Sequence, residues 1–160
     1  MRGKPVTHVV QDRRVAGLLA AVALMVTGCS TPAVGDPCLP EQVPESGFDD
    51  KEAYIESSSV QCQTRVCIVF RLKGDPREDC MPRSANPNCE ADDPSCAEVV
   101  CPSQSEIDDR VYCTCRCDSG ESGFAECECP DGYSCFPVLE QGGPGVRGSY
   151  CVKNGTFTRL

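Results

Sequence analysis

The sequence predicts a small disulfide-rich domain of short β-hairpins and long irregular loops, preceded by an N-terminal signal helix. Three observations predict it. Fifteen of the 160 residues are Cys, a density found in exported scaffolds held together by cross-links. The chain has no Trp, and aromatic residues make up only 6%, so few side chains are large enough to fill a core. Fourteen Gly and 13 Pro punctuate it into short segments.

The N-terminus sets the compartment. Arg2, Lys4, Arg13 and Arg14 precede an apolar run over residues 15–28. A basic stretch, an apolar stretch and small residues at the end form the pattern of a secretory signal. The run of 14 residues is short of the ~20 that span a membrane. Arg13-Arg14 invites a twin-arginine reading, but Val15, Ala16 and Gly17 lack the bulky apolar pair usual there, which favours general secretion.

Val26-Thr27-Gly28-Cys29 resembles the lipobox of bacterial lipoproteins. Small Thr27 and Gly28 admit a peptidase to the backbone, and a thiolate is the strong nucleophile that lipid transfer can use. The resemblance implies cleavage before Cys29, a diacylglycerol thioether on its sulfur and an acylated, palmitate-type amino terminus. Ser30 in the next position implies sorting to the outer membrane. The expected division is a signal over residues 1–28, a lipidated tether over 29–58 and a cysteine-rich domain over 59–160.

Cysteine arithmetic agrees with this division. Setting Cys29 aside leaves an even 14: Cys38, Cys62, Cys67, Cys80, Cys89, Cys96, Cys101, Cys113, Cys115, Cys117, Cys127, Cys129, Cys135 and Cys151. They can form up to seven bridges, and spacing does not fix the connectivity.

Taking the elements in order, residues 30–58 are rich in Pro, Gly and acidic residues and read as extended chain, with Cys38 pinning it to the body. Residues 49–56 hold a possible helical turn. Residues 60–72 carry the best strand signal, with a β-branched and aromatic core ended by Gly74-Asp75-Pro76. Cys62 and Cys67 flank a possible turn at its start. Residues 74–109 are loop-rich, with a short helical turn over 103–109. Residues 111–117 alternate so that Cys113, Cys115 and Cys117 share one strand face. Residues 125–129 repeat the alternation, so the two Cys-bearing faces are expected to oppose across a hairpin. Residues 133–139 and 148–153 read as a final strand pair joined by a Gly-rich loop.

Two resemblances cover the mature part. Cys127-Glu-Cys-Pro-Asp-Gly-Tyr-Ser-Cys135 resembles the closing part of an EGF-like module, with a final spacing short for that family and Cys151 as a further candidate partner. Gly35-Asp-Pro-Cys38, the Cys62 to Cys67 spacing and the Cys-x-Cys-x-Cys run resemble the uncharacterised cysteine-rich acidic lipoproteins abundant in myxobacteria. That resemblance implies location and disulfides, and no activity.

Much chemistry is absent from the pattern. The one His, His8, lies in the signal, so the mature chain offers no His nucleophile partner, general base or metal ligand. No Cys-x₂-Cys occurs, and zinc ribbons and thioredoxin-like sites use that spacing. Neither a cofactor nor a metal is expected. Asp49-Asp50, Asp92-Asp93 and Asp108-Asp109 lack the ligand spacing of an EF-hand and read as solvated charge. The Gly-rich loop lacks the Lys and Ser/Thr of a phosphate loop. From Cys29 onward 23 acidic residues face 11 basic ones, a balance that repels nucleic acid.

The expected function is a lipid-anchored structural or protein-binding module of the cell envelope without catalysis. Its partners are the membrane, through Cys29, and envelope proteins or surface ligands. The competing classes are a small carboxylate-based hydrolase and a redox protein with an exposed, reducible bridge. For binding, the sequence singles out Arg147 and Tyr150 beside the Gly-rich loop, since both residue types are favoured at hot spots.

Overall fold

A computed structural model describes residues 33–82, 85–86 and 98–157. The expected signal, Cys29, Cys89, Cys96 and Asp92-Asp93 lie outside the described residues. The described chain forms β1 (Ala53–Glu56), β2 (Val66–Phe70), α1 (Gln104–Arg110), β3 (Val111–Thr114), β4 (Arg116–Asp118), β5 (Tyr133–Leu139) and β6 (Gly148–Lys153). They build two antiparallel sheets, ordered β1-β2-β3 and β4-β6-β5. With its paired cysteines and long loops, this is a small disulfide-rich fold.

Strand β2 is the centre. Its residues Val66, Ile68, Val69 and Phe70 suit a pleated strand, and it pairs Ile55 with Ile68 on one side and Ile68 with Tyr112 on the other. Alternation splits the core in two. Cys67 and Val69 face one way, into a cluster with Leu72, Val111, Cys38, Cys62 and Cys113. Ile68 and Phe70 face the other way, into a cluster with Tyr112 and Val152. A strand covered on both faces needs a nearly continuous apolar sequence, which β2 has.

Aromatic contacts join the sheets. Phe70 meets Phe136 edge-on at 5.9 Å between centroids, Tyr112 meets Tyr133 at 5.5 Å, and Phe136 meets Phe157 at 4.4 Å. The Tyr112 hydroxyl is buried and accepts the Lys153 N–H at 2.9 Å. Burial pushes its pKa well above the ordinary tyrosine value, against the smaller lowering effect of that hydrogen bond, so it stays protonated. The Thr114 hydroxyl donates to the Cys151 carbonyl at 2.7 Å.

Several expectations change. The tether gives way from Ala33 onward to folded chain. Gly35 N–H donates to the Cys113 carbonyl at 2.8 Å, and Cys113 N–H donates to the Asp36 carbonyl at 2.7 Å, so this segment covers the outer edge of β3. Within residues 49–56 the helical turn is replaced by β1. Tyr54 and Ile55 gain cross-strand partners Val69 and Ile68, whereas one isolated helical turn has too few bonds to persist. The strand expected over 111–117 divides at Cys115, whose carbonyl accepts the Cys151 N–H at 3.1 Å. The chain changes sheets there, so Cys113 belongs to one sheet and Cys117 to the other. Residues 125–129 form no strand, and they are held beside β4 by a Cys127 N–H to Arg116 carbonyl bond of 2.9 Å.

Other expectations hold. The final strand pair is β5 and β6, with Cys135 opposite Cys151. Helix α1 starts at Ser103, whose side chain accepts from Glu106 N–H, the standard N-cap contact. Arg65 N–H donates to the Cys62 carbonyl at 3.0 Å, closing the turn before β2. Gly148 has φ +137°, and a Cβ there would collide with the Asp118 carbonyl, so only glycine lets β6 approach β4 at that point.

Six bridges form among the described residues: Cys38–Cys67, Cys62–Cys113, Cys80–Cys101, Cys115–Cys127, Cys117–Cys135 and Cys129–Cys151. The first two pin the N-terminal segment and the β1–β2 loop to the central sheet. Of the last three, Cys115–Cys127 and Cys129–Cys151 tie the β4–β5 loop to the residue before β4 and to β6, and Cys117–Cys135 joins β4 to β5. Cys129 pairs with Cys151, the further partner considered in the sequence.

Candidate functional site

A largely apolar groove of about 570 Å³ lies between α1, the segment around Cys38 and the strap after Asp75. Its floor is Cys38, Val111 and Ile107, all packed in the first core cluster. Pro37, Leu39 and Pro76 make its walls. Leu39 is 42% exposed at the edge of the groove. Two further exposed apolar residues adjoin lining positions: Val60 precedes Gln61, and Met81 lies two residues after Asp79.

Each wall is fixed. Gln61 donates from Nε2 to the Leu39 carbonyl at 2.6 Å and accepts the Leu39 N–H at 3.0 Å. Cys38–Cys67 anchors that wall to β2, and Cys80–Cys101 anchors the strap. Asp75 anchors the strap's start. Its carboxylate takes Nε of Arg77 at 3.0 Å, Nη2 at 2.6 Å and the Arg77 N–H at 2.9 Å. Burial works to raise the Asp75 pKa, but these bonds and the guanidinium charge outweigh it and hold the carboxyl below its ordinary value.

The groove is acidic. Glu78, Asp79 and Asp108 supply three carboxylates against one guanidinium, Arg77, which Asp75 already engages. A second, polar concavity of about 520 Å³ lies between α1 and the turn after β6. Its charges are internally matched: Lys153 pairs with Asp109 at 2.6 Å, and Arg110 donates to the Arg71 carbonyl at 3.1 Å.

Nothing among known proteins matches this chain: no family, no curated protein and no solved structure.

The residues singled out for binding lie outside the groove. Tyr150 is 2% exposed in β6, and its hydroxyl donates to the Val146 carbonyl. Its ring is largely covered and lines the edge of a smaller concavity of about 270 Å³ beside Arg116 and Cys127. Arg147 pairs with Glu121 across the loops. Arg116 reaches the same loop, donating to the Pro144 carbonyl at 2.8 Å, while its guanidinium lies 4.5 Å from the Phe124 ring centroid. Residues 140–147 are therefore clasped by side chains, not an unsupported tip. Of the acidic pairs, Asp49 accepts the Lys51 N–H at 2.9 Å, Asp108 accepts from Gln104 at 2.8 Å, and Asp109 holds Lys153.

The sequence reading missed the groove. Its lining comes from four separate stretches, distant in sequence, that bridges, hydrogen bonds and core packing bring together. The one local signal was Leu39 beside Cys38: an apolar side chain next to a buried, cross-linked residue in otherwise polar chain.

Proposed function

We propose that the protein is a lipid-anchored binding module of the bacterial cell envelope, tethered through Cys29 at the outer membrane. Its groove takes an extended segment of an envelope protein that presents an apolar side chain flanked by Lys or Arg. The observation that carries this reading is the groove itself: exposed Leu39 over an apolar floor, with carboxylates at its rim and, among the described lining residues, no cation but Arg77, which Asp75 engages. Small apolar concavities with a few placed polar groups are the usual form of ligand sites. Walls fixed by bridges need little ordering on binding, which saves affinity. The hydrolase alternative is weaker. The described carboxylates with displaced pKa values, Asp75 and Glu126, are both displaced downward, while a general acid working near neutrality needs the opposite.

The test is a random peptide library passed over the oxidised mature protein. Enriched peptides should combine an aliphatic or aromatic residue with basic neighbours, and they should elute with salt. Leu39→Asp should lose them, and Asp79→Lys should weaken them about tenfold or more. Peptides that bind both variants as they bind the parent would place the site elsewhere. For the anchor, labelled fatty acid should enter through Cys29, and Cys29→Ser should carry none. A mature amino terminus elsewhere and free of lipid would overturn it.

A further inference from the structure

Three bridges of the second sheet lie with their sulfurs in one cluster. The Cys151 sulfur is bonded to Cys129 but lies only 3.8 Å from Cys115 Sγ and 3.7 Å from Cys127 Sγ. Cys117 is bonded to Cys135, yet the sulfurs of Cys117, Cys129 and Cys151 all fall within 4.8 Å of one another. Accessibility is graded across the cluster. Cys135 is exposed, Cys117 and Cys129 are half-buried, and Cys151 is fully buried. The other close sulfur group, Cys38, Cys62 and Cys113, is buried throughout. Cys101 also reaches the surface, but neither it nor its partner Cys80 belongs to any three-sulfur cluster among the described residues.

Thiol–disulfide exchange needs a thiolate within reach of a bridged sulfur and access for the first attack. The cluster supplies proximity at each transfer and access at Cys135, and Cys151, which lies broadside to the Cys115–Cys127 bond, turns into line with it for the last step. We propose that it is a thiol-exchange site, at which an external thiolate bonding to Cys135 drives a relay of bridges inward to Cys115. In the first step the external thiolate bonds to Cys135 Sγ, the Cys117–Cys135 bond breaks and its electron pair leaves on Cys117. The Cys117 thiolate then bonds to Cys129 Sγ, and Cys151 leaves as the thiolate. Cys151 bonds to the adjacent Cys127 Sγ, and Cys115 leaves and takes a proton from solvent. Each step forms one S–S bond and breaks one, so no oxidant or reductant is consumed. The co-reactant is a thiol, and it ends as a mixed disulfide on Cys135.

Such a site takes thiols as its ligand class, either a small thiol or a protein cysteine. The structure also separates what moves from what does not. Strand β2 and its bridges Cys38–Cys67 and Cys62–Cys113 lie outside the relay, so the central sheet keeps its cross-links while the second sheet exchanges its own.

The experiment treats the oxidised mature protein with reduced glutathione, quenches in acid, alkylates free thiols and maps bridged peptides by mass spectrometry. A parallel arm uses a thioredoxin-fold protein with its resolving cysteine replaced. The expected products are the probe on Cys135, new Cys117–Cys129 and Cys127–Cys151 links, and an alkylated Cys115. The arm that reacts faster identifies the source of the thiol. Probe on Cys135 with Cys117 alkylated and the other two bridges intact would overturn the relay. So would capture at Cys80–Cys101 with the cluster untouched. A double variant, Cys117→Ser with Cys135→Ser, should slow opening of Cys129–Cys151 at least tenfold, and an unchanged rate would overturn the assignment of Cys135 as the point of attack.

Discussion

Asp75 shows how one residue sets a wall of the groove. Its side chain is 4% exposed, while that of Arg77 is 46% exposed, so the pair joins buried backbone to the surface. Asp75 N–H also donates to the Val100 carbonyl at 2.9 Å, which links the strap to the segment before α1. Because its folded pKa is lowered, its contribution is fully present above the ordinary carboxylate pKa. It is lost as pH falls through the lowered value. The unfolding temperature should therefore drop on acidification in that window, and Asp75→Asn should flatten this part of the profile. At neutral pH Asp75→Asn should cost about 1.5–3 kcal/mol, the usual range for hydrogen bonds to charged groups, read by denaturant titration with bridges intact. At this scale the sequence was legible for cysteines and opaque for Asp75. A Cys carries its chemistry in its identity, whereas Gly74-Asp75-Pro76 reads as an ordinary turn. Tyr150 and Arg147 illustrate the same limit. Their residue types suit a binding surface, and nothing local foretold that Tyr150 is covered in β6 or that Arg147, 43% exposed, pairs with Glu121.

Elements were readable where local signals agreed. Strand β2 has composition and a turn at each end, α1 has its Ser103 cap, and β5 and β6 have alternation around a Gly-rich connection. Strand β1 was hidden because its pairing comes from β2, ten residues further on, and its packing from residues distant in sequence. The division at Cys115 was hidden for a related reason. Period-two alternation continues unbroken through residues 111–117, and only the competing partners, β2 on one side and β6 on the other, decide where the chain changes sheets. The clasp over residues 140–147 follows from that division, since it puts Arg116 on β4 beneath the loop. Arg116→Ala removes the bonds to the Pro144 and Arg147 carbonyls and the contact with Phe124. It should leave the fold in place and free the loop. Amide exchange over residues 142–147 should then quicken about tenfold, and limited proteolysis should cut there first. Unchanged exchange would mean that Tyr150 and the Glu121–Arg147 pair hold the loop unaided.

Across the whole molecule, stability is divided between a thin core and its bridges. Few large side chains are fully buried, and Cys67, Cys113 and Cys151 stand among them, so sulfur fills space that aliphatic side chains fill in larger proteins. The bridges differ in what they contribute. In the chain-entropy account a cross-link stabilises more as the loop that it closes lengthens. Cys62–Cys113 closes a separation of 51 residues and Cys80–Cys101 one of 21, worth about 4 and about 3 kcal/mol on that account alone. Burial widens the gap. Cys62 and Cys113 are 2% and 0% exposed in the first core cluster, so replacing them with Ser also puts hydroxyls where no partner awaits them, at about 1–3 kcal/mol each. Cys80 is half-buried and Cys101 exposed, so a hydroxyl at either position can reach water and the penalty is smaller. Losing Cys62–Cys113 should therefore remove much of the ~5–15 kcal/mol typical of a folded domain. The Cys62→Ser, Cys113→Ser pair should be unfolded or nearly so at 37 °C. The Cys80→Ser, Cys101→Ser pair should melt cooperatively at a lowered temperature, with the groove's strap loosened and the two sheets intact. Circular dichroism melts of the two pairs, each with its remaining bridges oxidised, decide the order, and equal melting temperatures would show that loop length and burial do not rank these bridges.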